Sequence, residues 1–111
     1  MLPRKLRLTK HGEITSTIRQ GKRLATPYAN IHYLPATGAY TRVACVVSKK
    51  VSPSAVQRHK YQRWLRACAR GFINKQPAYD MVWIATPKIT QLSSQKELQQ
   101  ELQPHLSKLW H

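Results

Sequence analysis

Residues 54–70 read SAVQRHKYQRWLRACAR, and this segment limits the folds open to the chain more than any other. Projected at about 100° per residue, Tyr61, Trp64, Leu65, Cys68 and Phe72 fall in one sector, with His59, Arg63, Arg66 and Arg70 opposite. Arg58 and Lys60 flank the apolar sector near the first turn. A helix with that pattern must bury its apolar stripe against a larger apolar surface. Outside that stripe it carries four arginines and a lysine, three of the arginines on the opposite face, and no Asp or Glu stands three or four positions away to offset their repulsion.

The surface it packs on is expected to be a sheet. YANIHYL (28–34), TRVACVVS (41–48) and YDMVWIA (79–85) are rich in β-branched and aromatic residues. PATGAY, with Pro35 and Gly38, separates the first two and predicts a hairpin connection between them. Ahead of them, KHGEITSTIRQG places Ile14 and Ile18 four apart, reading as a short amphipathic helix with Thr9 as its N-cap and Gly21 as its stop. At the other end, Ser94 and Glu97 have the spacing of a capping box. Leu98, Leu102, Leu106 and Leu109 continue one stripe that Pro104 should kink or interrupt. Trp64 and Trp83 are expected in the core, and Trp110 closes the last helix onto it. The predicted order is α-β-β-α-β-α: one small α+β domain over residues 1–111, with a mixed central sheet packed by helices.

Charge narrows the partners. Nineteen Lys and Arg face only Glu13, Asp80, Glu97 and Glu101, for a net charge of +15. Self-repulsion on that scale points to a polyanionic partner, and nucleic acid is the leading class because contacted phosphates release condensed counterions. Lys49 and Lys50 lead from a strand into the basic helix, Arg42 opens that strand, and Arg4, Lys5, Arg7 and Lys10 form a second cluster that Arg19, Lys22 and Arg23 extend. Separated clusters imply a broad phosphate-binding surface suited to structured RNA. An anionic membrane surface is the competing partner, but the helix turns its apolar side to a core, and no apolar run approaches the ~20 residues of a spanning segment. A helix-turn-helix DNA regulator would need a helix where two strands and the Lys-Lys loop stand. The amino terminus lacks the hydrophobic stretch of a secretory signal, and Cys45 and Cys68 read as two reduced thiols of a cytoplasmic protein.

Protein-borne catalysis finds no support in the residues. The four carboxylates form no paired constellation, and Glu97 and Glu101 suit an exposed i,i+4 pair on a helix. His11, His32, His59, His105 and His111 have no zinc-type spacing with the cysteines, and four dispersed glycines make no phosphate-cradling loop.

The succession of RLTK (7–10), GKR (21–23), RVACVVSKKV (42–51), AVQRHKYQRWLRACAR (55–70) and DMVWIA (80–85), followed by a leucine helix, resembles the protein component of bacterial ribonuclease P over nearly the whole chain. That family carries an Arg-Asn-Arg signature opening its long helix. The matching positions here are Arg58, His59 and Lys60. The next basic pair appears as Gln62 and Arg63, Arg66 matches a further basic position, and a glycine of the second strand is Ala44. Lysine does not reproduce the planar fork of arginine, whereas a neutral histidine keeps the donor and acceptor capacity of asparagine.

The resemblance implies a ribonuclease P protein-like (ribosomal S5 domain 2-like) fold whose βαβ crossover, residues 42–85, has the uncommon left hand. It also implies a division of labour. The RNA subunit hydrolyses the 5′ leader from precursor tRNA with magnesium that it binds itself. The protein binds no cofactor or metal alone and has no catalytic residue. It acts as a cytoplasmic accessory subunit, monomeric within the ribonucleoprotein, that holds the ribonuclease P RNA and the leader. RNA contacts are expected from Arg7, Arg42, Lys49, Lys50, Arg58, His59, Lys60, Arg63, Arg66 and Arg70. The family's leader cleft maps onto Ile14, Ile18 and His32, with simple core packing as the alternative for the two isoleucines. The competing function is a structured-RNA-binding relative without tRNA-processing activity, which the replacements at His59 and Lys60 keep open.

Overall fold

The computed structural model describes residues 7–8, 11–36 and 38–109. Its elements run α1 (His11–Gln20), β1 (Lys22–Ala25), β2 (Ala29–Pro35), β3 (Arg42–Val46), α2 (Ala55–Arg70), β4 (Tyr79–Ala85), a 3₁₀ turn (Pro87–Gln91) and α3 (Gln95–Leu106). The Thr9 cap, the N-terminal basic residues Arg4, Lys5 and Lys10, and Trp110 lie outside the described residues.

The four strands form one mixed sheet in the order β1-β2-β4-β3. β2 pairs antiparallel with both β1 and β4, while β3 runs parallel to β4, so β3-α2-β4 is a crossover unit. The hairpin expected between residues 28–34 and 41–48 does not form, because β4 lies between those strands. Burial explains the insertion: Val82 and Trp83 point to opposite faces and are both fully buried, which only a central strand permits. The hairpin that does form joins β1 to β2. β1 escapes notice in the sequence because KRLA has no hydrophobic alternation; it is a short edge strand whose lysine and arginine discourage further pairing.

Each sheet face has its own helices. On one, Ile31, Val43, Met81 and Trp83 pack with Tyr61, Leu65, Cys68 and Ala69 of α2 and with Leu98, Leu102 and Leu106 of α3. On the other, Ala44, Val82 and Leu8 form a smaller cluster with Ile14, Val46 and Ile84, and α1 crosses β2 and β4 there. Trp64 is half-buried at the edge of the main core, edge-to-face with Tyr61 at 5.2 Å.

Local signals hold well at the helix ends. Ser54 caps α2 by accepting the Gln57 N–H at 3.4 Å, and Ser94 caps α3 by accepting that of Glu97 at 3.2 Å. The Glu97 carboxylate accepts from the N–H and hydroxyl of Ser93, a one-residue displacement of the capping box. Pro104 does not end α3, which runs on to Leu106 even though the ring removes the N–H that would otherwise donate to the Gln100 carbonyl. Gly21 stops α1 for a steric reason: a Cβ there would meet the Thr17 carbonyl oxygen and approach the Tyr33 carbonyl oxygen to 2.7 Å. Among the described residues no helix is long and apolar enough to cross a membrane.

Candidate nucleic-acid interface

Among the described residues, the outer face of α2 is a run of uncompensated positive charge. His59, Arg63 and Arg70 are exposed, and Arg66 and Lys60 are half-buried. The two salt bridges found among the described residues both involve Arg42, so Arg63, Arg66 and Arg70 reach no carboxylate. Lys60 lays its ammonium 4.8 Å from the Tyr61 ring centroid and 5.3 Å from that of Trp64, fixing the charge at the start of this face. Arg58 folds back, its Nη1 donating to the carbonyls of Ser52 and Pro53 at 3.0 and 2.9 Å. It therefore shapes the turn before α2 with one end of its fork. Lys49 and Lys50, both exposed, sit in the turn leading out of β3 toward the same helix.

Arg42, expected among the RNA contacts, is held by a bidentate pair to Asp80, with Nε and Nη2 each at 3.1 Å, and by Glu13 at 2.6 Å. The hydrogen bonds to Asp80 and then to Glu13 raise its pKa above the ordinary guanidinium value. Its charge is spent tying α1 to β3 and β4. Arg7 forms a parallel bridge with Val43 and, with Arg66 and Ile14, lines a cleft of about 200 Å³ along the outer edge of β3.

The three residues expected to line a leader cleft lie on the sheet face that α1 covers, but in different settings. Ile14 packs into the small cluster with Leu8, Ala44 and Val82. Ile18 joins no core cluster and stays 38% exposed, so core packing does not account for it. His32 stands across from Val82 on one side and Arg23 on the other. Its ring is half-buried, yet Nδ1 is closed off from solvent with no partner among the described residues. Beside it, Arg23 Nη2 donates to the side-chain amide oxygen Oδ1 of Asn30 at 3.3 Å. Arg23 was read as part of the basic surface, whereas Asn30 was not singled out, although the alternation Asn30, His32, Leu34 along one strand face was there to be read.

Burial, and after it the charge of Arg23, holds the His32 pKa below its ordinary value of 6.5. The folded state thus binds the proton less tightly than the unfolded chain. Stability contributed by the neutral ring is complete above 6.5 and is lost as pH falls through that value toward the lower folded pKa. His32→Gln is expected to flatten the decline in urea midpoint between about pH 7.5 and about pH 5. An unchanged pH profile would mean that the ring titrates alike in both states.

Three of the four acids have structural occupations: Glu13 and Asp80 hold Arg42, and Glu97 caps α3. Among the described residues no three His, Cys, Asp or Glu gather as a metal site. Cys45 and Cys68 are unpaired, and burial pushes both thiols up to about 12, so neither is a nucleophile. Basic residues run from α2 across the β3 edge to the α1 face of the sheet.

The family model described as Ribonuclease P matches residues 2–110 of the chain. The ribonuclease P protein component of Mycolicibacterium paratuberculosis is 36% identical over 115 residues, covering 98% of this chain and 95% of the relative. That of Mycolicibacterium gilvum is 35% identical, covering 98% and 90%. Among solved structures, the RNase P protein of Staphylococcus aureus superposes with a TM-score of 0.83 at 21% identity, over 94% of each chain. That of Thermotoga maritima, in complex with 1-(4-fluorophenyl)-2-thiourea, gives 0.80 at 24% identity, over 92% of this chain and 98% of the other. At such identities the superpositions speak for the fold alone.

Proposed function

The chain belongs to the ribonuclease P protein family, and from that premise we propose that it is the protein subunit of a ribonucleoprotein endoribonuclease that removes the 5′ leader of precursor tRNA. The observation that carries this reading is the α2 face, where Arg63, Arg66 and Arg70 stand without a carboxylate among the described residues. Like charges held together in that way await an anion, and an RNA backbone supplies it at phosphate spacing.

In this reading the RNA subunit performs the hydrolysis with the magnesium it binds. The protein supplies affinity and position. Arg63, Arg66 and Arg70, with Lys49, Lys50 and Lys60, neutralise phosphates of the ribonuclease P RNA and release counterions. Arg58 keeps the turn at Ser52 and Pro53 in shape and offers the rest of its guanidinium to the RNA. His59 contributes one donor and one acceptor. The precursor's leader lies on the α1 side of the sheet. There Ile14 and Ile18 offer apolar cover without ring stacking, and His32 and Arg23 offer polar contacts. The protein works as a monomer in the complex, in the cytoplasm.

The test is the salt dependence of binding to a ribonuclease P RNA. Arg58→Ala with Arg63→Ala is expected to weaken binding about tenfold or more and to reduce the slope of log K against log salt by roughly 2. A slope equal to that of the unaltered protein would remove the α2 face from the interface.

A further inference from the structure

A second groove, on the other side of α2 from the sheet cleft, runs between α2 and α3. It contains two hollows, of about 380 and 180 Å³. Arg63, Arg66 and Arg70 of α2 line the first, opposite Gln95 of α3. Lys75, just past α2, lines the second, opposite Gln99 and Gln103. Arg63 to Arg70 spans about 10.5 Å of α2 and Gln95 to Gln103 about 12 Å of α3 at 1.5 Å per helical residue, so the two hollows follow one another along the same helix pair.

The walls differ in chemistry. One is a cationic rail. The other is a ladder of three exposed glutamines four residues apart, which places their amides in a row along one edge of α3. At 100° per residue this ladder borders the buried Leu98, Leu102 and Leu106 stripe, with Glu97 and Glu101 roughly opposite it, so the acids stay out of the groove. Between the walls, Ala67 and Gly71 keep the floor low. None of the three glutamine side chains has a protein hydrogen-bond partner among the described residues, so each has a free donor and a free acceptor. A row of phosphates answers the rail. Only a polymer that also carries hydroxyls or base edges at similar spacing answers the ladder, and the ribose 2′-OH is both donor and acceptor.

We propose that the α2–α3 groove is a second strand-binding site, distinct from the cleft under α1, which takes a short single-stranded RNA segment with its phosphates on the arginines of α2 and its riboses and base edges on the glutamines of α3. This rests on the RNA-binding reading above and adds a site to it. One protein then holds two strands, one on each side of the α2 and β3 layer, with Arg66 reaching both the groove and the cleft at the β3 edge.

The experiment is an NMR titration of the full chain with a short oligouridylate, following two sets of signals. One set is the glutamine side-chain amides with the arginine Nε–H groups of the groove. The other is the methyls of Ile14 and Ile18 with the ring of His32. Both sets are expected to shift. Gln95→Ala/Gln99→Ala/Gln103→Ala should weaken the groove component about tenfold, with an unchanged salt slope. Alanine favours the helix, and the Trp83 indole signal reports that the core is intact. The matching oligodeoxyuridylate should bind the groove less tightly. Shifts confined to the cleft set would overturn the groove while leaving RNA binding in place, and so would a triple variant that binds as the unaltered chain does. Failure of both sets to shift would also overturn the groove. If the ribonuclease P RNA then failed to bind as well, the RNA-binding reading itself would fall.

Discussion

Arg42→Met should cost about 3 kcal/mol of folding free energy, the low end of the penalty for breaking a buried ion pair. The side chain is 24% accessible and its partner Asp80 only 8%, so removing the guanidinium strands a carboxylate that water scarcely reaches. Glu13, at 33%, can turn to solvent, and Glu13→Gln should cost about 1 kcal/mol or less. Arg42→Lys should recover little, because one ammonium does not span both oxygens of Asp80 as the fork does. In a double variant, Asp80→Asn should relieve much of the Arg42→Met penalty, since the stranded charge is gone. Urea midpoints of the four proteins make the check. An Arg42→Met protein as stable as the original would mean that α1 is held by apolar contacts alone. The cleft depends on the answer, because Glu13 and Ile14 are neighbours on the helix that Arg42 ties down.

Reversing the basic face should have the opposite signature. Arg63→Glu/Arg66→Glu/Arg70→Glu is expected to reduce affinity for a ribonuclease P RNA by on the order of a thousandfold at moderate salt, and to flatten the salt slope by roughly 3. Stability should not fall with it. The unaltered helix carries like charges at i,i+3 and i,i+4, and a chain of net charge +15 is relieved by each positive group removed. Binding lost from a protein at least as stable as before separates an interface from a fold defect. The pair of measurements, RNA binding against salt and the urea midpoint, makes that separation. Binding within a few-fold of the original would place the RNA on another surface.

These two expectations mark where the sequence is legible and where it is not. α2 could be read almost residue by residue, since its apolar stripe, Ser54 cap and basic face are local properties at helical spacing. The same holds for the α3 cap at Ser94 and for the strands at 28–34 and 79–85. Strand order could not be read that way. It depends on β4 being buried on both faces, and the unbroken apolar run from Met81 to Ala85 signals that burial without saying which strands flank it. β1 was hidden because an edge strand needs no apolar pattern. Arg42 was read as a phosphate ligand because its partners are 29 and 38 residues away, a pairing that only the α1 crossing and the β3-β4 register create. The glutamine ladder was visible as QKELQQELQ, but its meaning lay in the arginines that α2 sets opposite.

The signature positions set the sharpest question for function. His59 and Lys60 stand where the resemblance implies Asn and Arg, and Lys60 is directed over Tyr61 and Trp64. An RNA-binding relative without tRNA processing would tolerate these changes as readily as a working subunit. The most direct test is reconstitution: purified protein with a bacterial ribonuclease P RNA, assayed for 5′ cleavage of precursor tRNA at low magnesium. Cleavage that needs both components, and that the charge-reversed α2 protein does not restore, is the predicted result. RNA binding without cleavage, persisting when the cognate RNA is supplied, would contradict it.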